Sequence, residues 1–162
     1  MTWGADWRPM AGTILGSVLL AASGSAHAAS AFAGLGGSWS GSGHIRLEGN
    51  QREAIRCNAH YASRGGGTAL GLSLRCASPS GRVELRASLT ASGRRVSGFW
   101  EERSYGLSGR VTGSASGNSL RVSFSGDISG AMVVTTSGSS QSISVRTDTS
   151  ALKAVNVSLR RN

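Results

Sequence analysis

From Gly37 onward apolar and polar residues alternate with a period of two, and turn residues interrupt the alternation at short intervals. Trp39, Gly41, Gly43, Ile45 and Leu47 point one way, and Ser40, Ser42, His44, Arg46 and Glu48 the other. Ile55, Cys57, Ala59 and Tyr61 oppose Arg56, Asn58 and His60; Leu70, Leu72, Leu74 and Cys76 oppose Gly71, Ser73 and Arg75. This is the period of a strand with one dry face and one wet face. The dry series continues through Val83, Leu85, Ala87 and Leu89, then Val96, Gly98 and Trp100, then Leu107, Gly109, Val111 and Gly113. It ends with Leu120, Val122, Phe124 and Gly126, then Val133 and Thr135, Ile143 and Val145, and Val155, Val157 and Leu159. The pattern predicts an all-β chain of about ten short antiparallel strands with no helix in this region.

The turn "SRGGGT", residues 63–68, carries three glycines able to take positive φ. Pairing Cys57 with Cys76 across it sets Tyr61 opposite Leu72 and Ala59 opposite Leu74, so both cysteines fall on the dry face. Register and a Cys57–Cys76 disulfide therefore support one another. So many consecutive antiparallel strands are most simply satisfied by closure into an up-and-down barrel of eight to ten strands, which removes exposed edges. Glycine recurring on the inward face predicts bends where strands coil around a narrow interior. A membrane-spanning barrel fits less well. Its strands need about 9 to 11 residues and it carries aromatic girdles, whereas the aromatics after residue 28 are only Trp39, Trp100, Tyr61, Tyr105, Phe32, Phe99 and Phe124.

Ahead of the alternation, Arg8 precedes the apolar stretch "AGTILGSVLLAASGSAHA", which closes on Ala26-His27-Ala28. This is the plan of a secretory leader with an A-x-A cleavage site; an uncleaved N-terminal anchor is the alternative. The expected organisation is a signal peptide over residues 1–28, a lead segment over 29–36 and a single barrel domain over 37–162, with a periplasmic or secreted location and no transmembrane span after cleavage. Cys57 and Cys76 are the only cysteines, and export makes a disulfide the default, contributing about 3 kcal/mol through loop closure. Only His60 stands near them as a further ligand, so no metal is expected.

The net charge of +9 is almost entirely arginine, Lys153 being the one lysine. Arg46, Arg56, Arg75, Arg86, Arg110, Arg121, Arg146 and Arg160 recur on the wet face, strand after strand. Either they are a solvated surface or they meet an acidic partner such as lipopolysaccharide phosphate, acidic polysaccharide, nucleic acid or an acidic protein. Specific single-strand nucleic-acid binding wants aromatics between the charges, and only Phe99 qualifies. An acidic envelope polymer is the partner this surface predicts. The glycosylation sequon at Asn156-Val157-Ser158 lies within a predicted strand and adds nothing.

Gly37-Ser38-Trp39, preceded by "FAGLG" and followed by an alternating first strand, resembles the Gly-x-Trp opening of the calycin superfamily, the lipocalins and avidin-like proteins. The resemblance implies an eight-stranded up-and-down barrel whose Trp39 sits at the closed end, covered by an arginine from a late strand, Arg160 or Arg161. The Thr-Asp-Tyr-like turn of lipocalins is not found, and a biotin site would want more tryptophans. A bacterial avidin-like inhibitor of metalloproteases has a similar start, which implies an inhibitory trunk at "ASAFAGLGG".

Catalysis has little raw material. His44 and His60 lie on wet faces in separate strands, no nucleophile-elbow sequence marks a serine, and no enzyme activity or cofactor is expected. In "GFWEERSYG", residues 98–106, an inward Trp100 brings Glu102 inward as well, beside Tyr105. Trp39, Tyr61, Trp100, Glu102 and Tyr105 are therefore the candidate lumen residues, an apolar pocket with a polar anchor. The alternative pairs Glu102 with Arg103 or Arg110 at a strand end. The function predicted is a non-enzymatic binding protein, its ligand small and apolar in the lumen or an acidic envelope surface outside. A protease inhibitor or a structural envelope protein are the rivals.

Overall fold

The computed structural model describes residues 30–148 and 151–162. The predicted signal peptide, residues 1–28, lies outside the described residues. A turn over residues 31–35 leads into ten strands: β1 (Gly37–Leu47), β2 (Arg52–Arg64), β3 (Ala69–Ser78), β4 (Gly81–Ser92), β5 (Arg95–Glu102), β6 (Leu107–Ser116), β7 (Ser119–Gly126), β8 (Gly130–Ser137), β9 (Ser140–Thr147) and β10 (Leu152–Arg161). Each strand pairs antiparallel with its neighbours in sequence, and β1 pairs with β10 to close the barrel. The chain is thus an up-and-down barrel of ten strands, at the top of the expected range and two more than the lipocalin likeness implies.

The register around the disulfide is the one the spacing predicts. Cys57 faces Cys76, Ala59 faces Leu74 and Tyr61 faces Leu72, and the two sulfurs are bonded. Gly65, Gly66 and Gly67 all take positive φ in the turn between β2 and β3. One strand differs from expectation. In β8 the side chains of Met132, Val134 and Thr136 point inward, not Val133 and Thr135, because Val134 pairs with both Leu120 and Ile143. The run "AMVVTTS" offers apolar residues at both parities, so alternation alone leaves its phase open and the neighbouring strands decide it.

Inward glycines allow the strands to coil tightly. At Gly41 an added Cβ would strike the Ser158 carbonyl of β10, and at Gly109 it would strike the Ser125 carbonyl of β7 and the indole of Trp100. No side chain larger than hydrogen fits there.

Burial falls along the barrel axis. At the end where β1 begins, Phe32, Trp39, Val96 and Leu159 have at most 1% of their surface exposed. The turn 31–35 lies across this end: Phe32 N–H donates to the Gly67 carbonyl, and the indole N–H of Trp39 donates to the Leu35 carbonyl at 3.0 Å. Arg161, paired with Trp39 across the β1/β10 seam, stacks its guanidinium 4.3 Å from the indole centroid and donates to the carbonyls of Gly34 and Gly36. The arginine that covers Trp39 is Arg161; Arg160 faces solvent.

Trp39→Ala should lower stability by about 3–5 kcal/mol in chemical denaturation, the cost of emptying a large buried site. Arg161→Ala should cost about 1–2 kcal/mol, since it removes a stacked cation and its hydrogen bonds without opening the core. Equal losses for the two variants would contradict the plug.

Candidate functional site

The two ends of the lumen are built differently. Toward the sealed end, Tyr61 donates to Gln141 Oε1 at 2.7 Å and Gln141 Nε2 donates to Thr136 Oγ1 at 3.2 Å, so three polar side chains from β2, β9 and β8 satisfy one another within the core. Burial pushes the Tyr61 phenol well above its usual range, partly offset by the bond to Gln141, so it stays neutral. This end is filled.

Toward the other end, where the even strands begin and the odd strands finish, the inward side chains are aliphatic and only partly buried. Leu47, Leu85, Leu107, Met132, Val145 and Leu152 form this ring, one from each of six strands. Below it Trp100 lies against β6 and β7: its indole N–H reaches the Ser125 carbonyl at 3.3 Å, and its ring meets Phe124 edge-on with centroids 6.0 Å apart. Gly109, opposite Trp100 in β6, leaves the space the indole occupies. This half of the interior is an apolar wall of partly buried side chains with Trp100 and Phe124 at its centre.

The five residues anticipated as a lumen site are not brought together. Trp39 and Tyr61 belong to the sealed end and Trp100 to the other half. Glu102 is buried, 6% exposed, but its carboxylate accepts the backbone N–H groups of Glu84 (2.8 Å), Ser104 (3.0 Å) and Tyr105 (2.7 Å), tying the β5–β6 turn to β4. It takes neither Arg103, which reaches Glu84 at 3.7 Å, nor Arg110, which lies over Phe99. Tyr105 stands on the turn with 64% of its surface exposed, outside the lumen. The turn, by folding back over its own carboxylate, carries the ring out.

Phe124, Leu47, Leu85, Leu107 and Val145 carry the inward parity of the sequence, and strand ends of one polarity share one mouth. Met132 and Leu152 do not: the pairing of β8 with its neighbours turns Met132 inward, and a register shift at Arg46/Leu47 brings Leu152 opposite Leu47. The eight arginines of the wet face, Arg46, Arg56, Arg75, Arg86, Arg110, Arg121, Arg146 and Arg160, are all exposed and point outward. Arg75, Arg86 and Arg103 converge on Glu84 Oε1 at 3.5–3.7 Å. Among the described residues no group of three His, Cys, Asp or Glu side chains is placed to hold a metal, and His44 and His60 are exposed on the outer face. No helix among these residues is long and apolar enough to cross a membrane.

No family model and no curated protein matches the chain. Solved structures do. The chain is similar to Rv2717c from M. tuberculosis, with a TM-score of 0.67 and 15% identity over 82% of this chain and 95% of that one. It is also similar to the S-type phycobiliprotein lyase CPES from Guillardia theta, with a TM-score of 0.57 and 11% identity over 81% and 90% of the two chains. At these identities the likeness is one of fold, a ten-stranded antiparallel barrel of the calycin-like type.

Burial alone would raise the Glu102 carboxyl, but the three backbone donors outweigh it and hold it below the ordinary carboxylate range. Its stabilising effect is therefore complete above the unfolded value of about 4.3 and is lost as pH falls through the lower folded value. Glu102→Gln should cost about 2 kcal/mol at neutral pH and flatten the acid limb of the stability–pH curve. An unchanged acid limb in the variant would show that this carboxylate contributes nothing to it.

Proposed function

We propose that the chain is a secreted, non-enzymatic binding protein that holds a small apolar ligand in the open half of its barrel. One observation carries this reading: a ring of inward aliphatic side chains left partly exposed at one mouth, above Trp100 and Phe124, in a barrel sealed at the other end. Apolar surface left in water costs roughly 25 cal/mol per Å², and a ligand of matching character recovers it. The inward carboxylates of this half do not offer an anchor for a cation, since Glu102 is occupied by three N–H groups and Glu53 accepts the Ser80 N–H at 3.1 Å. A neutral, mostly hydrocarbon ligand fits this lining best.

Secretion is supported by the leader-like residues 1–28 and by the Cys57–Cys76 disulfide, a bond that persists in oxidising compartments. Binding is favoured over catalysis because, among the described residues, the lumen wall presents no nucleophile and base side by side; the likeness to a phycobiliprotein lyase is one of fold. The inhibitor reading loses ground because residues 30–36 are spent on the sealed end, with Phe32 fully buried, and do not form a free arm.

Titration of the protein with the neutral probe N-phenyl-1-naphthylamine should show saturable 1:1 binding with transfer from Trp100, retained in Trp39→Phe and lost in Trp100→Phe. Met132→Lys at the mouth should weaken it by about tenfold or more, equivalent to roughly 1.4 kcal/mol. Absence of saturable binding, together with native mass spectra showing no ligand carried from the host, would refute a lumen site.

A further inference from the structure

We propose that the outer face of β3 to β6 is a binding groove for an acidic polysaccharide, separate from the lumen. Three adjacent cross-strand rows build it. Gly71, Ser88, Phe99 and Arg110 lie side by side in the middle row; Ala69, Thr90, Ser97 and Thr112 form the row toward the sealed end; Ser73, Arg86, Glu101 and Ser108 form the row toward the open mouth. Small and hydroxylated side chains keep the floor low. Two hollows result, about 630 and 670 Å³, which share Ser88, Phe99 and Arg110. Arg64 borders the first and Arg86 the second.

Phe99 is the feature that sets this face apart. Its ring is 60% exposed although it sits mid-strand on a wet face, and the Arg110 guanidinium lies 5.4 Å from its centroid. Stacking against the ring orients the guanidinium and partly desolvates it without using its hydrogen-bond donors. The lining carries three arginines, Arg64, Arg86 and Arg110, against one acid, Glu101, for a net of +2. An aromatic shelf suits the C–H face of a sugar ring, whose polarised hydrogens are drawn to the negative face of the π-system. Guanidinium forks suit carboxylates on such rings, and Ser88, Ser97, Thr112 and Ser108 suit their hydroxyls. A polyuronate chain laid along the face meets arginine, ring and arginine in turn. Nucleic acid fits less well, because its strands are held by several stacked aromatics and this face has one.

The test is calorimetric titration of the full chain with oligogalacturonates, with maltooligosaccharides of equal length and single-stranded DNA as comparisons. Oligogalacturonates should bind with salt-sensitive affinity while the neutral oligomers do not. Phe99→Ala and Arg110→Ala should each weaken binding by about tenfold, whereas Arg121→Ala and Arg146→Ala, which lie outside the groove, should change it by less than about twofold. Melting temperatures recorded alongside keep folding and binding apart, and Arg64→Ala supplies a second reading at the groove's far end. Equal losses in all the arginine variants, indifference to Phe99→Ala, no oligogalacturonate binding, or tighter Phe99-dependent binding of DNA would each overturn the proposal. Loss of N-phenyl-1-naphthylamine binding has no bearing on it, because that probe reports the lumen.

Discussion

Pairing between the first strand and the last, from Trp39 opposite Arg161 to Leu47 opposite Leu152, is the constraint on which the rest of the barrel depends. A sheet of ten strands left open would expose two edges of unpaired N–H and C=O groups and one continuous apolar face. Closure removes both at once, and it also fixes how much room the inward side chains share. Where that room is least the sequence places glycine, as at Gly41 beside the Ser158 carbonyl on this seam. The same closure brings the third residue of the sheet against its last, and so creates the stacked pair of Trp39 and Arg161.

That pair gives the barrel its polarity. The turn 31–35, the Trp39 indole, the Arg161 guanidinium and the linked Tyr61, Gln141 and Thr136 side chains occupy one end with nearly every buried polar atom satisfied. Buried polar groups are costly unless bonded in this way, so the sealed end is a structural investment. The other end has no comparable cover among the described residues. Its aliphatic ring, with Trp100 and Phe124 below it, stays partly exposed.

Outside, charge follows a different logic. Arginines stand on nearly every strand, yet the three ion pairs among the described residues all end on one oxygen of Glu84. Exposed pairs of this kind contribute little to stability, so the excess positive charge does little for folding. Around Phe99 that charge meets a concave floor of small residues, and a general property of the composition becomes a local one.

Much of this was legible in the chain. Period-two alternation determined which side of the sheet most residues face, and the spacing around "SRGGGT" set the register that joins Cys57 to Cys76. It failed in β8, where "AMVVTTS" is apolar at both parities and only pairing with Leu120 and Ile143 selects Val134. It also left open whether Arg160 or Arg161 covers Trp39 and what Glu102 bonds, and it placed Tyr105 in the lumen where the turn carries it outward, because each depends on groups distant in sequence or on how a turn folds back. Alternation is a local property, fixed by the pleat of a single strand. The choice of sealed end, the open apolar mouth and the groove beside Phe99 exist only once ten strands have closed on one another, and so they belong to the tertiary structure alone.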